Sequence, residues 1–321
     1  MLRILFLVII ILSFASCERI ALILTPAKKL KASNTELAKT AENQFWTTLH
    51  SGNYSKIEEI EKLLMAAYLE NPNDALLAAH LGFLHIWKIT ERQRLKNIPA
   101  EIVNETILAK KYFSDAVELT PKDARYLGFL GDSQLFEGNI FEDKREQVIA
   151  YFTLKKAIHE WPEFNYFTAG FAMSNLSAAD KSFQEGLEWQ WKTLDLCAGE
   201  KISRDNPDYS KYMRLEIKTG PKRVCWNSWI APYNFEGFFM NMGDMLVKSG
   251  NPAVAIKIYQ NAKLDKNYAY WPYKKILESK ITNAKENVKN FQEKYLGPEK
   301  TIMLNSGYGC MACHENKGTR L

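Results

Sequence analysis

The absences in this 321-residue chain narrow its class first. It has 16 glycines and 11 prolines, too few for a collagen-like or low-complexity protein. Its charge is close to balanced: 42 Lys and Arg face 37 Asp and Glu, a formal +5. So small a surplus, spread along the chain, leaves no footprint for nucleic acid. After residue 13 no run is long and apolar enough to cross a bilayer. Strand signals are few, and there is no Ser/His/Asp arrangement or phosphate-binding glycine loop. What remains is an ordinary globular composition, 46% hydrophobic and 25% charged, with 12% aromatic residues to fill a core or line a pocket.

Residues 1–13 read MLRILFLVIIILS. Arg3 is followed by apolar residues from Ile4 to Leu12, the length of a signal h-region and too short for a stop-transfer helix. Phe14-Ala15-Ser16-Cys17 comes next. The segment resembles a bacterial lipoprotein signal peptide, although Phe14 stands where that family usually has an aliphatic residue. An ordinary secretory signal with an incidental cysteine is the alternative. The resemblance implies that residues 1–16 are removed, that Cys17 carries the lipid, and that the protein is held at a membrane facing the periplasm without crossing it. Glu18, where an Asp would imply inner-membrane retention, points to the outer membrane. Residues 17–33 read as a tether, and Ser33-x-x-Glu36 as a capping box that opens the first helix.

Cysteine is scarce, at five, and four remain beyond Cys17. An exported compartment is oxidising, so paired thiols are expected there. Cys197 and Cys225 enclose a polar, turn-rich stretch and read as a disulfide, with two buried free thiols as the rival. The last two lie in Cys310-Met311-Ala312-Cys313-His314, the attachment pattern of haem c. Two thiols that far apart reach both vinyl groups from one short turn, and the next His ligates the iron. Zinc would need further ligands, and no second Cys/His cluster exists in the sequence. A Cys310–Cys313 disulfide of redox type lacks its usual thioredoxin-like context.

Between the ends the apolar pattern has helical period. Leu81-Gly82, Leu130-Gly131 and Met242-Gly243 lie on helix-like stretches, with turns expected at Ser51-Gly52-Asn53, Gly138-Asn139 and Gly250-Asn251. Helices with small–large–small spacing accompany them: Ala109, Phe113, Ala116; Ala150, Leu154, Ala157; Ala255, Tyr259, Ala262. Pro72, Pro121 and Pro162 end helices. The pattern resembles a divergent tetratricopeptide repeat over roughly residues 41–290. The expected fold is all-α: a helical-hairpin solenoid over 34–295, interrupted by a disulfide-stapled insertion at 195–234. A haem-binding tail over 296–321 follows.

So short a tail cannot enclose a haem alone, and the helical domain or a partner must supply the pocket. C-terminal placement of the motif is also seen in cytochromes c′, and the resemblance ends there. Trp226, Trp229, Tyr233, Phe235, Phe238 and Phe239 are candidate pocket walls, or simply core. Met240, Met242, Met245, Met303, His50, His80, His85 and His159 are candidates for the sixth iron position. Three readings follow. One is a membrane-anchored monohaem cytochrome that passes electrons to a docked redox partner protein; no catalytic motif beyond the haem site argues for an enzyme. The others are a haem sensor or haem enzyme with an open sixth site, and a repeat scaffold for protein contacts without haem.

Overall fold

The computed structural model describes residues 21, 23–292 and 309–316. Residues 1–16, expected to be a signal peptide, Cys17 and Met303 lie outside the described residues. Those described are helical with no strand among them. The order is α1 (Glu36–Ser51), α2 (Ile57–Glu70), α3 (Ala75–Thr90), α4 (Asn104–Leu119), α5 (Ala124–Ile140), α6 (Lys144–Glu160), α7 (Pro162–Met173) and α8 (Lys181–Ala198). An irregular stretch with one 3-10 turn leads to α9 (Asn234–Lys248), α10 (Pro252–Asn261), α11 (Lys274–Thr282) and α12 (Ala284–Gln292). A last short turn, α13, spans Met311–His314.

Successive helices pack as antiparallel hairpins, and the small–large pattern explains how. A Cβ added at Gly82 would meet the Phe113 ring at 2.7 Å; at Gly131, Leu154 at 2.7 Å; at Gly243, the Tyr259 ring at 2.1 Å. Each glycine thus lets the large residue of a facing helix press onto bare backbone. Asp74, Asp123, Asp143 and Asp180 cap α3, α5, α6 and α8 by accepting first-turn N–H groups, each cap worth about 1 kcal/mol.

Local details depart from the sequence reading. Thr35, not Ser33, caps α1, accepting from Ala38 N at 3.2 Å. Ser33 instead donates its N–H to Asp74 Oδ2 at 2.6 Å, so the end of the tether is tied to the α2–α3 turn. Gly138-Asn139 is not a turn: α5 continues to Ile140, and Glu142 takes the left-handed conformation at φ 54°. Gly138 stays helical because Gln147 packs on it, 2.9 Å from where a Cβ would stand. Gly52 and Gly250 do turn the chain, at φ 64° and 85°. The insertion begins only after Ala198, where α8 ends.

Cys197 at the end of α8 is bonded to Cys225 across that insertion, S–S 2.02 Å. Two apolar clusters result. The larger runs from Phe45 and Trp87 through Phe238 and Tyr259 to Trp271, Met311 and Ala312, joining the first and last hairpins. The smaller holds Leu135, Leu154, Met173 and Trp189.

Two stability predictions follow. Changing Cys197 and Cys225 to Ala opens a link between residues 28 apart and should cost ~3 kcal/mol in urea unfolding. Asp132 on α5 is buried with Oδ1 unpartnered, and burial pushes its carboxyl up to about 8. The folded state therefore holds a proton that the unfolded chain releases near pH 4, so stability falls as pH rises from about 4 to 8. Asp132→Asn should flatten that slope, and thermal melts across this range measure it.

Candidate functional site

The last described residues come back to the start of the chain. The turn α13 is held by its backbone. The N–H groups of Cys310 and Met311 both donate to Glu91 Oε1 at 2.9 Å. Glu91 closes α3 and is fully buried. Its other oxygen accepts from Trp87 Nε1 at 2.9 Å and faces Arg94 Nε at 3.0 Å. Burial raises its carboxyl to about 7, against the pull of Arg94 and these donors. A short helix leaves its carbonyls open, and here they are met. Trp271 Nε1 donates to Ala312 O at 2.8 Å, and Tyr233 N to Cys313 O at 3.0 Å. Beyond the turn, Asn316 N donates to His50 O at 2.7 Å. Tyr273 donates its hydroxyl to Glu315 Oε2 at 2.5 Å. The Glu315 side chain lies over Gly52, 2.8 Å from where a Cβ would be.

Spacing sorts the side chains. Three- and four-residue steps put Cys310, Cys313 and His314 on one side of the turn. Met311 and Ala312, on the other, are fully buried. Cys310 Sγ is 3.3 Å from Thr90 Oγ1. Cys313 Sγ points at Asn234 O, 3.6 Å away, and rests on Gly237 of α9, where a Cβ would lie 2.3 Å from it. The two thiols are not bonded to each other. Burial raises both, Cys310 to about 12 and Cys313 further, so both stay protonated at neutral pH. That opposes nucleophilic dithiol chemistry, which needs a thiolate.

His314 Nδ1 is 2.8 Å from the Ile230 carbonyl. A carbonyl only accepts, so Nδ1 carries the proton and Nε2 keeps its lone pair. Burial, helped by the nearby His50, pulls His314 down to about 4, so the ring is neutral. His50 Nε2 approaches the same carbonyl at 3.2 Å. The rings of Trp46, His50 and Trp229 form a triangle with centroids 4.9–5.8 Å apart. Trp229 and Ile230 are 54% and 44% exposed, an uncovered apolar spot beside the His314 site.

The other candidates lie elsewhere. Met240, Met242 and Met245 are fully buried in α9. His80 stacks on Phe45 at 4.1 Å, and His85 Nδ1 pairs with Glu105 at 2.5 Å; both are core. His159 is exposed near the end of α6. Of the aromatic stretch, Trp226, Phe235, Phe238 and Phe239 fill the core, Tyr233 holds the turn through its N–H, and Trp229 stands beside His50. Glu91, Trp271, Tyr273, Ile230 and Gly237 carried no signal in the sequence. Among the described residues no group of three or more His, Cys, Asp and Glu is placed to hold a metal ion. No protein-family model, curated protein or solved structure matches the chain.

Gly237→Val would place side-chain atoms where the Cys313 thiol sits. Exchange of the Met311, Cys313 and His314 amides should then quicken at least about tenfold, as expected for loss of one or two hydrogen bonds. The α5–α6 amides should keep their protection. Unchanged exchange at α13 would show that Gly237 does not seat the turn.

Proposed function

We propose that the chain is a membrane-anchored monohaem c-type cytochrome on a divergent tetratricopeptide-like solenoid, carrying electrons to or from a docked redox protein. The close glycine–large-residue contacts of three hairpins, at Gly82, Gly131 and Gly243, support the solenoid. The observation that carries the haem reading is the hydrogen bond from His314 to the Ile230 carbonyl. Such a bond fixes the tautomer and aims the other nitrogen, as outer partners of iron- and zinc-binding imidazoles do.

The residues present fit the group. Two protonated, unbonded thiols and one neutral imidazole share one side of a single turn, and an apolar spot at Trp229 and Ile230 adjoins the imidazole. Cys310 and Cys313 would hold a haem as thioethers, and His314 would ligate its iron. The bound group would supply a one-electron couple. The chain's own part is to fix the turn through Glu91, Trp271 and Tyr233, to aim His314 Nε2, and to keep the ring neutral. The expected lipid on Cys17 places this couple at a membrane surface, and the expected export agrees with haem attachment outside the cytoplasm.

The test is a haem stain on a denaturing gel of protein made in a host with c-type maturation. Wild type should stain, and Cys310→Ser/Cys313→Ser should not. Visible spectra of the native protein, oxidised and reduced, then separate a six-coordinate carrier from a ligand-binding sensor. An unstained wild-type band contradicts the haem reading and leaves the repeat scaffold.

A further inference from the structure

The outer face of α6 is apolar where a solvated helix is ordinarily polar. Val148, Ile149 and Phe152 are 56%, 41% and 66% exposed. Ile140 and Phe141, where α5 ends, are 40% and 49% exposed. The same helix buries Ala150, Leu154, Ala157 and Ile158 on its inner side. One exposed leucine or phenylalanine needs no explanation, but five large apolar side chains on a single hairpin mark a contact surface.

Basic residues flank that face. Steps of three and four residues set Arg145, Val148, Phe152, Lys155 and Lys156 along one stripe. The apolar side chains are therefore bracketed by exposed basic residues, Arg145 before them and Lys155 and Lys156 after. Lys155 has the half-exposed Glu185 at 3.6 Å. Within α6, Glu146 reaches back to Lys110 at 3.3 Å, and Glu160 lies at the far end. In the preceding turn Glu142 is exposed, and Asp143 is engaged as the helix cap.

We infer that this face of α6, with Ile140 and Phe141, rests in the headgroup region of an anionic bilayer. Apolar side chains with basic flanks on an in-plane helix are the pattern of interfacial binding. One observation favours a bilayer over a second copy of the chain. A two-fold contact through this face would bring basic flank against basic flank. The start of the described chain also permits a bilayer: Ile23 and Leu24 are 82% and 77% exposed, and Lys28 is tied to α4 by Glu118 at 3.3 Å and Asp115 at 3.8 Å. A lipid on Cys17 would hold the chain at such a surface. The inference takes its occupant from the anchored part of the proposed function and is independent of the haem.

The test uses the chain from residue 18 onward, without lipid, floated with phosphatidylethanolamine/phosphatidylglycerol vesicles and with phosphatidylcholine vesicles. Wild type should float with the anionic vesicles and much less with phosphatidylcholine. Val148→Glu/Phe152→Glu should lower the bound fraction about tenfold. Leu69→Glu, at a leucine 70% exposed on α2, should float like wild type. Near-UV circular dichroism confirms that each variant is folded, since all three positions are exposed. Wild type that stays unfloated, or a double variant that floats unchanged, overturns the inference. So does a wild-type dimer, without vesicles, that the double variant splits. Fatty-acid labelling of Cys17 in the producing cell tests the anchor separately, so a labelled protein that fails to float after removal of its lipid overturns the α6 contact alone.

Discussion

One buried carboxylate fixes where the turn at Met311–His314 lies. Glu91 sits at the close of α3 with no solvent exposure and gathers the N–H groups of Cys310, Met311 and Trp87 and the guanidinium of Arg94. Buried donors without a partner are costly, so these four groups and the carboxylate require one another. When Glu91 is ionised, its charge stands at the amino end of a helical turn, where the peptide dipoles favour it. With its start held by α3, its carbonyls by Trp271 and Tyr233, and Asn316 by His50, the turn joins the first hairpin to the last.

The segment between α8 and α9 completes the arrangement. The Cys197–Cys225 bond ties it to α8. Just after the bond Trp226 adopts φ 68°, unusual for a side chain of that size, and is held there by stacking on Tyr212 at 5.4 Å and by Phe235 at 4.4 Å. The chain then turns outward to present Trp229 and the Ile230 carbonyl. That carbonyl takes the Nδ1 proton of His314, which leaves Nε2 as the basic nitrogen. The bond thus lies five residues before the carbonyl that meets the imidazole.

How much of this is legible in the sequence follows from how local each interaction is. The hairpins are legible because a glycine on one helix is followed by a small–large–small pattern on the next, and Gly82 meets Phe113 and Gly243 meets Tyr259 although the two pairs are separated by different lengths of chain. The Cys310–His314 pattern is legible because it lies within five residues. The cradle around it is not. Glu91 is 219 residues from Cys310, and Trp271 is 41 from Ala312. Both meet the turn through its backbone, which leaves no residue pattern. The misplaced turn at Gly138 has the same origin: the glycine serves packing by Gln147, and Glu142 makes the turn because α5 and α6 are already paired.

Intact-mass spectrometry of the protein, purified from membranes of a host with c-type maturation, tests the central claim most directly. The account predicts one species: residues 17–321 with acyl groups on Cys17, the Cys197–Cys225 bond, and one covalent haem lost when Cys310 and Cys313 are replaced. A mature chain of otherwise correct mass, with both C-terminal thiols free to alkylate and no haem, would contradict it.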